Sequence, residues 1–295
     1  MSDSIANFSG PCKPGSELAA IALLLVAIFA GADTKMTAAD DSVPPPSDIK
    51  RLILPGESFL VEGRPAFILW PDPSLRASAT PQPWVFYAPT LPNYPDQHEK
   101  WMHEQFLNAG VAVAGIDVGE AYGSPASRKL FDAFYQHVMD QYGLAAKPCL
   151  LGRSRGGLWA MSWACDHPDR FAGFAGIYPV FDFRTYPGIE KVAAAYEMSE
   201  ADVERQIDVL NPISRVSAIA TAKLPTLIIH GDQDAVVPLR ENSARLAAVF
   251  KEAGAQSHVE LIVAVGQGHN FWEGFFRCQK LVDFVIARAK HGAAE

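Results

Sequence analysis

The chain has 295 residues, 49% hydrophobic and 20% charged, which suits one large folded domain with a sizeable core and excludes a disordered or fibrous protein. Its net charge of -8, with no run of Lys and Arg, argues against a nucleic-acid partner, because phosphate binding needs a concentrated basic surface. No C-x-x-C or H-x-x-x-H spacing occurs, so no structural metal is expected; separately, no cofactor is expected.

Residues 18–32 (LAAIALLLVAIFAGA) are uninterrupted apolar sequence. The run is short for a membrane span and suits the apolar core of a signal peptide, with Ala30-Gly31-Ala32 as a small-x-small cleavage site. The expectation is export, to a secreted or periplasmic location, with no membrane association after cleavage. Asp3 and Glu17 beside Lys13 leave open an uncleaved N-terminal anchor. Residues 33–50, containing Pro44-Pro45-Pro46, read as a disordered linker, and residues 51–295 as the folded domain. Cys149, Cys165 and Cys278 remain after the leader, an odd number; small buried hydrophobes are the simpler reading, and a disulfide between two of them stays open.

Strand and helix signals then alternate. Residues 57–62 and 64–70 form two strands joined by a Glu62-Gly63 turn, an antiparallel hairpin. Strands follow at 84–88, 111–118, 148–151, 171–178, 226–229 and 259–265. Helices fall at 98–109, 127–142, from Gly157 to about Asp166, 240–253 and 271–289. Such alternation implies a mostly parallel sheet with helices on both faces and the hairpin as its antiparallel edge. Residues 181–222 break the rhythm. Ser199-Glu-Ala-Asp202 resembles a capping box that opens a helix to about Val209, ended by Asn211-Pro212. The segment is either a small helical cap over the carboxyl edge of the sheet or a decorated crossover.

The strand at 148–151 runs into Gly152-Arg153-Ser154-Arg155-Gly156, a G-x-S-x-G at a strand–turn–helix junction. That context exposes a serine hydroxyl as a nucleophile. A phosphate-binding loop is excluded, because the terminal Gly-Lys-Ser/Thr is missing. A serine needs a base within hydrogen-bonding reach, and the base needs a carboxylate to fix its tautomer. His230-Gly-Asp-Gln-Asp-Ala-Val-Val-Pro238 follows the strand at 226–229 and carries the H-G-x-x-D-x-x-V-P pattern of α/β-hydrolases.

With that motif the chain, from Leu52 to Ala289, resembles the α/β-hydrolase superfamily, in its esterase/prolyl-oligopeptidase-like (dienelactone-hydrolase-like) serine hydrolase group. The resemblance implies an α/β-hydrolase fold with a small helical cap insertion. It selects Asp234 as the acid; Asp232 is the alternative, a turn residue bonding nearby amides. It places the base in the loop after the last strand, where His269 stands in Gly266-Gln-Gly-His-Asn270. Ser154, Asp234 and His269 then follow in the chain order of the superfamily. The resemblance also implies an oxyanion hole made by the backbone amide of Arg155 and a donor from the loop 88–94. There Pro89 and Pro92 lack an N–H, so Thr90 or Leu91 is the choice. The lipase-type H-G-G-G is absent, which leaves that second donor open.

Arg153 and Arg155 flank the serine; each either pairs with a nearby carboxylate or turns a cation toward the site. Tyr122 and Glu120 in the loop 117–125, and Tyr178 through Tyr186, are further candidates for substrate contact, or plain turn and core packing. The expected activity is hydrolysis of a carboxylic ester through an acyl-enzyme, the partner being a small-molecule or acylated-carbohydrate substrate. A prolyl-oligopeptidase-like peptidase is the alternative; the large gating domain usual in such enzymes finds no room in residues 33–295. A non-catalytic binding protein on the same fold is the third reading.

Overall fold

A computed structural model describes residues 49–76 and 81–295. The leader and the linker up to residue 48 lie outside the described residues. By Lys50 the chain is already packed: its side chain is buried and donates to the Leu91 carbonyl at 2.5 Å.

The strand signals assemble into one sheet of eight strands: β1 (Gly56–Val61), β2 (Arg64–Leu69), β3 (Trp84–Ala88), β4 (Ala112–Ile116), β5 (Cys149–Arg153), β6 (Gly173–Ile177), β7 (Thr226–Gly231) and β8 (Val259–Ala264). Their order is β1-β2-β4-β3-β5-β6-β7-β8. β1 pairs antiparallel with β2, and β2 antiparallel with β4; every other pairing is parallel. The hairpin turn has positive φ at both Glu62 (49°) and Gly63 (72°), whose twist matches that of the flanking strands.

Strand side chains alternate between two cores, which is why the central strands read as continuous apolar runs. Along β3, Trp84, Phe86 and Ala88 enter one core and Val85 and Tyr87 the other. Helix α1 (Lys100–Asn108) puts Met102 and Phe106 into the second core. Helix α2 (Pro125–Tyr142) puts Phe131, Phe134 and Val138 into the first. Its limits follow its sequence: the Ser124 side chain accepts from the Ser127 amide, Pro125 opens the helix, and Gly143 closes it at φ 66°. Helix α3 (Gly156–Asp166) leaves the nucleophile turn and is buried from Gly156 to Cys165, so it runs through the centre of the first core.

The segment at 181–222 forms five short helices: α4 (Ile189–Tyr196), α5 (Glu200–Arg205), α6 (Ile207–Leu210), α7 (Pro212–Arg215) and α8 (Ser217–Thr221). The Ser199 hydroxyl does cap α5 by accepting from the Asp202 amide, but the helix expected over 199–209 divides at Gln206, whose ψ of 17° leaves the helical range. These helices pack largely on the α3 side of the sheet. Arg215 pairs with Asp166, and the Tyr196 hydroxyl donates to the Tyr122 carbonyl at 2.9 Å. Helix α9 (Ser243–Glu252) completes that layer. The helix expected over 271–289 is likewise two, α10 (Glu273–Phe276) and α11 (Gln279–Ala294), because Cys278 between them is extended (ψ 96°). α11 packs Leu281, Val282 and Val285 into the second core beside α1. Cys149, Cys165 and Cys278 are all unpaired. No helix of the described residues is long and apolar enough to cross a membrane.

Candidate active site

Three loops at the carboxyl ends of parallel strands meet over the sheet, the place where open α/β sheets bind ligands. β5 ends at Arg153, and the chain turns through Ser154 at φ 51°, the left-handed region that a non-glycine residue occupies only when its surroundings enforce it. Here they do. The Ser154 amide donates to the Ile177 carbonyl at 3.0 Å, and the Ser154 carbonyl accepts from Gly157 at 2.9 Å and Val180 at 2.8 Å. The turn is also pressed onto neighbouring backbone. A Cβ at Gly156 would stand 2.2 Å from the Ala88 carbonyl, and one at Gly157 would stand 2.6 Å from that of Val180. Glycine alone fits either place.

The His269 imidazole lies across this turn, with Nε2 2.9 Å from the Ser154 hydroxyl and Nδ1 2.7 Å from Asp234 Oδ2. A carboxylate only accepts, so Nδ1 carries the proton and Nε2 offers its lone pair to the serine. The other oxygen of Asp234 accepts the amides of Val236 at 3.0 Å and Val237 at 2.8 Å. Burial alone would push this carboxyl up. His230, His269 and the Val237 amide outweigh it and hold Asp234 well below the ordinary carboxylate range. The fully buried His230 gives its Nε2 proton to the Val237 carbonyl at 2.8 Å, accepts from the Ser243 hydroxyl at 2.7 Å, and stands 3.4 Å from Asp234 Oδ2.

Asp232, the alternative acid, is a turn residue: it accepts the Gly266 amide at 2.6 Å. The Gln233 amide bonds the Gln267 carbonyl at 2.9 Å, and a Cβ at Gly231 would stand 2.1 Å from that same oxygen. The loops bearing Asp234 and His269 are therefore held together by their own backbones.

A cavity of about 220 Å³ opens over Ser154 and His269, lined also by Arg153, Arg155 and Tyr178. The Tyr178 ring sits 4.3 Å from the His269 ring, centroid to centroid, fixing that face of the imidazole. Tyr186, at the far end of the stretch that begins with Tyr178, also lines it, whereas Phe181 and Phe183 between them are core. Tyr122 is buried and is not among the residues that line the cavity. From the loop after β3, the cavity is lined by Pro89 and Tyr94 rather than Thr90 or Leu91. Thr90 is buried with its hydroxyl donating to the Tyr87 carbonyl at 3.1 Å, and the Leu91 amide points to the Tyr94 carbonyl at 3.4 Å. The Arg155 amide, just ahead of α3, stands at a helix end whose first-turn N–H groups have no partner inside the helix.

The two arginines differ. Arg153 is 4% exposed and pairs with two carboxylates. Its Nη1 lies 2.9 Å from Asp96 and 2.8 Å from Glu99, and its guanidinium stacks on Tyr94, Phe271 and Phe276. Burial pushes the Glu99 carboxyl up; Arg153, the Tyr87 hydroxyl at 2.6 Å and the Asp96 amide at 3.0 Å hold part of that rise back. Arg155 has its Nε 2.9 Å from the half-exposed Glu120 and its guanidinium 5.4 Å from the Tyr94 ring. Tyr94, Val236, Asn270 and Phe271 escaped the sequence reading. The one signal for Tyr94 was its place in the loop after β3. Among the described residues, no group of three or more His, Cys, Asp and Glu is placed to hold a metal.

This architecture, with a serine on a sharp strand–helix turn, is the α/β-hydrolase fold. The chain belongs to the prolyl oligopeptidase family, whose model matches residues 130–287, more than half of it. No curated protein matches by sequence comparison. Among solved structures, a puromycin-hydrolysing peptidase of Mycobacterium tuberculosis is 17% identical with a TM-score of 0.60, over 81% of this chain but 40% of that one. The chain thus spans less than half the length of that peptidase. An S-formylglutathione hydrolase of Agrobacterium tumefaciens is 17% identical with a TM-score of 0.59, over 82% of this chain and 97% of that one. MPT51 (FbpC1) of M. tuberculosis is 15% identical with a TM-score of 0.60, over 79% and 98%. At these identities the likeness is one of fold.

Proposed function

We propose that the protein hydrolyses carboxylic esters through an acyl-enzyme formed on Ser154. The observation that carries this reading is the relay from Ser154 Oγ through His269 to Asp234, with contacts of 2.9 and 2.7 Å. In this reading His269 takes the serine proton as the hydroxyl attacks the acyl carbonyl, then gives it to the departing alcohol. Asp234 keeps the imidazole in the tautomer that can accept, and stabilises its cation. The Arg155 amide at the α3 end donates to the developing oxyanion. Water, activated by the same imidazole, releases the acid.

An ester is favoured over a peptide by the size of the cavity. At about 220 Å³ it is small even for a small-molecule pocket, and it suits a short acyl or alcohol group better than a peptide held on both sides of the scissile bond. An acylated carbohydrate is one such substrate. Peptidase activity is the second reading, favoured by the family match.

The test is a graded panel of short esters beside a matched peptide series, with fluorophosphonate labelling of the folded protein. Ester turnover and labelling at Ser154 are expected. Ser154→Ala should lower turnover by about three orders of magnitude or more without unfolding the protein. Turnover of peptides alone would replace the ester reading with the second. An unlabelled serine, or full activity in the alanine variant, would sink both.

A further inference from the structure

We infer that the Arg155 side chain is a recognition site for a carboxylate on the substrate, so that this hydrolase prefers acidic esters; the inference rests on the function proposed above. Two guanidinium groups line the cavity beside the serine; Arg153 faces two carboxylates and Arg155 one. Arg153 is held between Asp96 and Glu99 and stacked on three rings. Arg155 has a single ionic neighbour, Glu120, whose side chain is 47% exposed. Although that carboxylate comes within 2.9 Å, the buried Nε–H makes no hydrogen bond to it. The two terminal nitrogens likewise bond no described residue. A poorly aligned pair with a half-exposed carboxylate contributes little and is easily exchanged.

What remains is a planar fork of N–H groups, braced on one face by Tyr94, directly next to the nucleophile. No acidic side chain lines the cavity itself, and Glu120 is the carboxylate that a bound anion would displace. A guanidinium in that position matches a carboxylate with two parallel charge-assisted hydrogen bonds, whereas a neutral carbonyl offers one weaker acceptor. An ester bearing a free carboxylate a few bonds from the scissile carbonyl can therefore reach Ser154 and Arg155 together.

The experiment compares monomethyl glutarate with its neutral counterpart, dimethyl glutarate. Binding is measured on the Ser154→Ala protein, so that it does not depend on turnover. The monoester is expected to bind about tenfold tighter or more. That ratio should fall to about one when Arg155→Met, which keeps the main-chain amide, is added. Raising the salt should weaken the monoester alone. Equal binding, no binding of the monoester, or a preference that survives Arg155→Met overturns the inference. Turnover of the same pair by the wild-type protein is read separately. If neither ester is hydrolysed, the proposed activity fails, while the binding ratio still decides the role of Arg155.

Discussion

At the scale of single residues, the site depends on one proton being in one place. Asp234 accepts from His269 and from two backbone amides, so its orientation is set before any substrate arrives. Replacing it with Asn keeps the shape but puts an N–H where an acceptor is needed. The imidazole then turns its proton toward Ser154 and can no longer accept one. In the proposed mechanism Asp234→Asn should lower kcat by about four orders of magnitude with little change in KM. Steady-state kinetics on the best ester of the panel measures this, and a variant within tenfold of wild type would mean that Asp234 is not the orienting acid. Ser154 was legible from its G-x-S-x-G at a strand end, and Asp234 and His269 from the resemblance to α/β-hydrolases, which places an acid and a base in loops after two later strands. Tyr94 and Phe271 were not, because the direction of a loop side chain depends on the path of the loop in space. Even where the loop was located correctly, as at Thr90 and Leu91, the facing residues were its neighbours. The Leu91–Tyr94 bridge sets that path, and it has no sequence signature.

At the scale of elements, the nucleophile turn is a packing problem solved by glycine. Gly156 abuts the backbone of Ala88 and Pro89, at the end of a neighbouring strand that cannot move without disturbing the sheet. Gly156→Ala should therefore destabilise the protein by about 3 kcal/mol and displace Ser154 as well. Gly254→Ala is the contrasting case. A Cβ there meets nothing, and only the positive φ of 68° opposes it, at a cost of about 1 kcal/mol. Denaturant unfolding of both variants, with activity of the first, checks the contrast; a loss at Gly156 no larger than that at Gly254 would show that a small shift relieves the close approach to Ala88. The strands and long helices were legible from periodicity. The breaks at Gln206 and Cys278 were not, because both interrupt sequence that stays apolar at helical spacing. They are imposed by what the flanking pieces pack against: Phe275 and Phe276 of α10 face Tyr178, whereas α11 must lie along the sheet.

At the scale of the whole molecule, buried carboxylates tie separate parts of the chain together, and they make its stability depend on acid. Asp182 is the clearest. It sits after β6, 3% exposed, accepting from Arg184 and from Asn211 at 2.8 Å, and so anchors residues 181–222. Burial works against its charge, but Arg184, Asn211 and the Arg184 amide outweigh it and lower its pKa below 3.8. Asp132 and Asp234 are lowered in the same way. A carboxyl lowered in the folded state binds its proton first in the unfolded chain. Its contribution is complete above the unfolded value, near 3.8, and is lost as pH falls through the lower folded value. Glu99, raised by burial, acts in the opposite sense: its contribution favours folding below its unfolded value of about 4.5 and is lost as pH rises through the folded one. Among the described carboxyls six are lowered and only Glu99 is raised, so stability is predicted to fall on acidification below about pH 4. Asp182→Asn isolates one of them. At pH 7 it should cost about 2 kcal/mol, a fall of several degrees in Tm, because Arg184 and Asn211 lose a charged acceptor. As pH falls below 3.8 toward the lowered folded value, wild-type Asp182 loses its charge and the gap between the two proteins should narrow. Thermal melts of both from pH 7 to pH 2 measure it; a gap that stays constant with pH would show that the Asp182 side chain acts by shape and not by charge.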